Sequence, residues 1–150
     1  MRFLFLFLLL NAFAFAEVFD DGKFLQPLSR LSLSEIEISA YSSLNKKLYG
    51  IGGKNLYEID LSKPEVPALL ATKDLGEAAA SIAIFEKTFA IAFPGNATSG
   101  LLRLYTYEDS LVLKQEFKTC PGLDMVTFTP NGKFLLGACE GRSEESSVGK

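Results

Sequence analysis

Thr127-Phe-Thr-Pro-Asn-Gly-Lys-Phe-Leu-Leu-Gly-Ala138 is the stretch that decides the fold. A β-favouring run ends at Phe128, a Pro-Asn-Gly turn reverses the chain, and a second apolar run opens with Phe134. Asn131-Gly132 is a strong hairpin signal, because both residues tolerate positive φ. The same plan occurs twice before it, at Ala40-Tyr-Ser-Ser-Leu-Asn-Lys-Lys-Leu-Tyr-Gly-Ile-Gly52 and at Ile84-Phe-Glu-Lys-Thr-Phe-Ala-Ile-Ala-Phe93. The residues that open the second strand of each unit, Leu48, Phe89 and Phe134, stand 41 and 45 residues apart. A period of about 40–45 residues with four strands per unit is the signature of a β-propeller.

Working outward, turn-forming residues divide the chain into strands. Unit one takes 35–42, 47–51, 56–61 and 68–75; unit two takes 80–85, 88–93, 101–107 and 111–118; unit three begins with 124–128 and 133–138. The expected fold class is all-β: a partial β-propeller of about two and a half four-stranded blades over 35–150, following an N-terminal signal peptide. Closed propellers have four to eight blades, so the sequence is expected to be the N-terminal part of a longer protein, interrupted within its third blade. Residues 17–34 form a lead-in, from which 23–33 could supply a ring-closing strand. In the third strand of unit one, Tyr57, Ile59 and Leu61 alternate with Glu58 and Asp60, and the apolar set is expected to face the neighbouring blade. Only 75–86, with its alanines, has a mildly helical pattern, and its second half reads as a buried strand.

The first residues are not part of that fold. One basic residue, Arg2, precedes the apolar run Phe3 to Leu10, and Ala14-Phe15-Ala16 is the small-x-small pattern of a signal-peptidase site. A membrane-spanning anchor needs about 18 or more apolar residues, and here Asn11 interrupts a shorter run. Residues 1–16 therefore read as a secretory signal cleaved between Ala16 and Glu17. Cleavage removes one of 15 basic residues and none of 18 acidic ones, which takes the net charge from −3 to −4.

Composition narrows the chemistry further. The 150 residues are 48% hydrophobic and 22% charged, the balance of one globular domain. The chain contains no His, which excludes a Ser-His-Asp triad, a Cys-His pair and His-ligated metal within it. Two Cys cannot form a Cys₄ zinc site. A pI near 5.0 argues against a phosphate-binding surface for nucleic acid.

Four features remain as candidates. Asn96-Ala97-Thr98 is an N-glycosylation sequon in a Gly- and Ser-containing loop. Cys120 and Cys139 are either a disulfide, which an oxidising compartment favours, or two small buried hydrophobes. With the hairpin tip at Asn131-Gly132, Cys139 falls opposite about position 123, and Pro121-Gly122 can fold Cys120 back toward it. Asp124, Glu140, Glu144 and Glu145 could surround a Ca²⁺ ion, but their spacing is not that of an EF-hand and Arg142 sits among them. Solvated loop charge is the better reading, with Asp124 bonding turn amides. Gly50-Ile51-Gly52-Gly53 lacks the phosphate-loop frame and reads as a strand running into a hairpin turn. Tyr41, Tyr49, Tyr57, Tyr105 and Tyr107 fall on strands and are expected to pack between blades. No catalytic, cofactor-binding or metal-ligating residue is identified, and no cofactor is called for.

Gly122-Leu-Asp-Met-Val-Thr-Phe-Thr-Pro-Asn-Gly-Lys-Phe-Leu-Leu-Gly-Ala-Cys-Glu-Gly141 resembles the pattern L-P-D-M-x-x-F-T-P-D-G-K-x-x-L-V-A-N-E-G-E-P of the choice-of-anchor I domains, secreted propellers that include the mesenchyme-specific cell surface glycoproteins. Glu37-Ile-Ser-Ala-Tyr41 and Tyr57-Glu-Ile-Asp-Leu-Ser62-Lys-Pro are similar to the family's E-I-V-A-Y and D-I-S-x-P segments, in the same order and spacing. The likeness runs from Glu35 to Lys150. Cys139, Arg142 and Ser143 depart from the family's Asn, Glu and Pro. The resemblance implies an extracellular or surface-anchored propeller and carries over no catalytic residue. The expected function is a secreted or cell-surface module for protein interaction or adhesion, with a protein or cell-surface ligand as partner. The alternative is the N-terminal part of a metal-dependent phosphoesterase-like hydrolase whose catalytic groups lie in other sequence.

Overall fold

A computed structural model describes residues 36–140, together with Ala12–Ala14, Ser29–Leu31 and Leu33. Among the described residues there are twelve strands and no helix. Strands β1 (Ala12–Ala14) and β2 (Ser29–Leu31) form a short antiparallel pair. The first four-stranded sheet is the meander β3 (Ile38–Ser42), β4 (Lys47–Gly52), β5 (Asn55–Asp60) and β6 (Ala68–Asp74). The second is β7 (Ser81–Phe85), β8 (Thr88–Phe93), β9 (Gly100–Tyr107) and β10 (Leu111–Thr119). A two-stranded third sheet follows, β11 (Leu123–Phe128) with β12 (Leu135–Cys139).

Each strand ends where its turn chemistry requires. Gly53 takes positive φ in the two-residue turn between β4 and β5, at the foot of the glycine-rich run. The mildly helical stretch is a loop as far as Ala80, and β7 begins at Ser81. At the third hairpin the tip differs from expectation. Pro130 and Asn131 are its central residues, closed by the Gly132 amide donating to the Thr129 carbonyl at 2.8 Å. Proline fixes negative φ at the leading position, so positive φ falls on Gly132 alone. A Cβ at that position would stand 2.1 Å from the ring of Phe85. The tip of the third sheet thus rests against the second.

The sheets stack face to face through their side chains. Between the first and second lie Tyr49, Ile51, Leu56, Ile82, Phe89, Ile91 and Phe93, all buried. Between the second and third lie Ala90, Ala92, Leu123 and Val126. Strand β8 explains both joints: its alternation places Phe89, Ile91 and Phe93 toward one neighbour and Ala90 and Ala92 toward the other. The first strands β3, β7 and β11 lie side by side along the stack, and the Ser81 hydroxyl accepts from the Val126 amide at 3.2 Å. Strands β6 and β10 lie at the outer edges, and their side chains are largely exposed.

The register corrects one assignment of facing and specifies another. The repeat equivalent of Phe89 is Leu135, packed on the second sheet, whereas Phe134 belongs to the turn and is 65% exposed. In β5, Leu56 and Glu58 turn toward the second sheet; Ile59 is fully buried on the opposite face. The polar member of the alternation faces inward because it finds an ion-pair partner there.

Candidate functional site

Two polar clusters cross the joint between the first and second sheets, one near each end of the strands. At one end Lys47 on β4 pairs with Glu58 on β5, and the Lys47 ammonium also donates to the Tyr107 hydroxyl at 2.8 Å. Tyr107 in turn donates to Glu58 at 3.1 Å, and Asn45 donates to the Tyr49 hydroxyl at 2.9 Å. Burial alone would push the Lys47 pKa down; bonds to Glu58 and Tyr107 outweigh it and the net shift is upward. The Tyr49 pKa rises, chiefly through burial.

At the other end Arg103 carries the cluster. Its guanidinium bonds Glu116 at 2.6 Å, Glu77 at 2.6 Å and the Leu75 carbonyl at 3.0 Å, and lies 4.5 Å above the Phe93 ring. Burial would lower its pKa, and the paired carboxylates hold it raised. Planar, always charged and weakly hydrated, an Arg suits such a half-buried joint. Beside it a cavity of about 500 Å³ opens among Glu77, Ala78, Pro94, Gly95, Asn96, Ser99 and Leu101.

Glu58→Gln keeps the shape of the first cluster and removes its charge, leaving Lys47 half-buried without a counter-ion. The expected cost is about 2 kcal/mol, read as a lower urea midpoint. The raised Lys47 and Tyr49 carry the same sign of pH dependence. Their stabilisation is fully present below the ordinary tyrosine and lysine values of about 10 and is lost as pH climbs above them, where the unfolded chain releases protons that the folded chain retains. Wild-type stability should therefore fall above about pH 10, and an E58Q midpoint insensitive to the lost charge would overturn the assignment.

The residues singled out by sequence are distributed around this frame. Asn96 lies exposed on the β8–β9 loop, at the rim of the cavity. Cys120 follows β10 and Cys139 ends β12; their Cα atoms are 6.2 Å apart and the sulfurs are paired. Cys139 stands opposite Leu123, and an extra residue in β11, Asp124, forms a bulge beside that pair. Asp124 is exposed and its carboxylate makes no hydrogen bond among the described residues, so the expected turn role is absent. Glu140 is exposed; Ala16, Glu17, Glu144 and Glu145 lie outside the described residues. No group of three or more potential metal ligands occurs among the described residues. Of the tyrosines, Tyr49, Tyr105 and Tyr107 pack in the first joint and Tyr57 is half-buried, but Tyr41 is exposed. The ionic clusters escaped sequence reasoning, although Arg103 alone in Gly100–Tyr107 (GLLRLYTY) was their signal. A single charge within an apolar strand implies a partner.

Stacked antiparallel sheets held by apolar joints and crossed by ion pairs define a β-rich module with loops at both ends. The domain family implied is one of the cell surface or exterior. The chain belongs to the choice-of-anchor I domain family, whose profile matches residues 37–149. No curated protein matches the chain. No helix among the described residues is long and apolar enough to cross a membrane.

Proposed function

We propose that the chain is a segment of a secreted β-propeller that serves as an interaction or adhesion module. The observation that carries this reading is the placement of β3, β7 and β11 side by side, each leading a meander that stacks on the last. That is how blades succeed one another around a propeller axis. Equivalent positions on the second strands extend the argument. Tyr49 is covered by the second sheet and Ala90 by the third, while Leu136, next in the series, is 56% exposed beside Met125 at 58%. The occupant of that face is a further sheet of the same repeat. Cleavage after Ala16 removes β1 and leaves β2 able to pair elsewhere, as a ring-closing strand would.

Chain secreted from eukaryotic cells tests the reading. Edman sequencing should begin at Glu17, and an uncut Met1 in the membrane fraction would overturn export. The open apolar face and the unpaired strand edge should drive self-association, visible as concentration-dependent sedimentation. Leu136→Lys combined with Met125→Lys should shift it toward monomer. A sharp wild-type monomer with a cooperative melt would contradict the proposal. Beads coated with the secreted chain should retain cells; a transcript that continues into His- and Asp-rich motifs, instead of more blades, would favour a hydrolase.

A further inference from the structure

We infer that Asn96 is a built acceptor for an N-linked glycan, a modification that leaves its supporting turn intact. The inference rests on the export proposed above and concerns the loop from Pro94 to Ser99, which joins β8 to β9. Asn96, Ala97 and Thr98 are all exposed there. The Asn96 carboxamide oxygen accepts three hydrogen bonds: from the Thr98 amide at 2.9 Å, the Thr98 hydroxyl at 2.7 Å and the Ser99 amide at 3.2 Å. Its Nδ2 has no partner among the described residues. The side chain is therefore divided by function, with the oxygen facing the loop and the nitrogen left to solvent.

That division suits the chemistry. In the transfer, Nδ2 forms a C–N bond to the anomeric carbon of an oligosaccharide carried on a polyprenyl pyrophosphate. The anomeric C–O bond breaks, lipid pyrophosphate leaves with the electron pair, and one amide proton passes to a base of the oligosaccharyl transferase. The product is a secondary amide whose oxygen keeps both lone pairs, so all three bonds to Oδ1 survive. The loop also has its own anchors away from the side chain. The Asn96 amide donates to the Ser99 carbonyl at 3.0 Å, and the Gly122 amide donates to the Pro94 carbonyl at 3.0 Å. A Cβ at Gly95 would fall 2.0 Å from the Ser99 carbonyl oxygen, so the backbone folds closely on itself and leaves Asn96 at the rim. A glycan attached there would stand over the mouth of the cavity beside Glu77 and keep macromolecular partners off that end of the sheets.

The full chain is secreted from eukaryotic cells in two forms, one behind its own first residues and one behind a leader of proven export. Peptide-N-glycosidase should lower the mass of protein recovered from the medium, and mass spectrometry should then read Asp at position 96. Asn96→Gln and Thr98→Ala should each abolish the shift, while Thr98→Ser, which keeps a hydroxyl, should retain occupancy. Protein that reaches the medium behind the proven leader with an unmodified Asn96 overturns the inference. Modification behind that leader, with no export behind the chain's own, supports it and overturns the export reading instead.

Discussion

Phe89→Ala is expected to lower the unfolding free energy by about 3–5 kcal/mol. The ring is fully buried on β8, edge-on to Tyr49 with centroids 4.6 Å apart, and 6.2 Å from Tyr107. Truncation removes apolar area and also leaves a void, because Tyr49 and Ile91 are fixed by strand pairing and cannot close it. A loss of that size is a large part of the stability of a domain this small. Urea unfolding followed by far-UV circular dichroism would measure it. Phe89→Leu, which restores most of the volume, should recover much of the loss. A midpoint unchanged in the alanine variant would mean that the two sheets do not pack through this strand.

The second large effect is expected from reduction of the Cys120–Cys139 pair. A cross-link over 19 residues lowers the entropy of the unfolded chain and so stabilises the fold by about 3 kcal/mol at room temperature. Dithiothreitol should lower the unfolding free energy of the wild type by about that amount, read as a lower urea midpoint, and leave a Cys120→Ser, Cys139→Ser double variant unmoved. Non-reducing peptide mapping should recover the two cysteine peptides linked. Freely alkylated thiols in secreted protein, or equal midpoints with and without reductant, would remove the bond from the account.

Much of the architecture was legible because strands and turns obey local rules. The span Thr88–Phe93 follows from β-favouring residues between two turns, whereas Cys139 stands opposite Leu123 because the bulge at Asp124 offsets the one-residue shift of the hairpin tip. What could not be read is which face of a strand meets which neighbour. Alternation divides Tyr57 and Ile59 from Glu58, but only the ion pair with Lys47 and the bond from Tyr107 reveal that Glu58 points into the joint. Phe134 was the natural choice to open the last strand, yet the proline at 130 lengthens the turn and passes that role to Leu135. The site was less legible still. Arg103 depends on Glu116, its cross-strand partner in the β9–β10 hairpin, and on Glu77 from the loop before β7, a carboxylate that no local window joins to it.

The unequal filling of the two joints has a consequence for how the molecule comes apart. The first joint is closed by large side chains, Tyr49, Phe89, Ile91 and Phe93, and by two ionic clusters. The second fully buries only Ala90 and Ala92 of the middle sheet with Leu123 and Val126 of the third, and Leu102, Leu104, Phe128 and Leu135 around them are half-buried. The covalent clasp, from the end of the second sheet to the end of the third, lies across this thinner joint. Apolar burial therefore sets the strength of one seam, and the redox state of the surroundings sets the strength of the other. Under oxidising conditions the three sheets should yield together; under reducing conditions the third should peel away first, which would make the order of disassembly a property of the compartment.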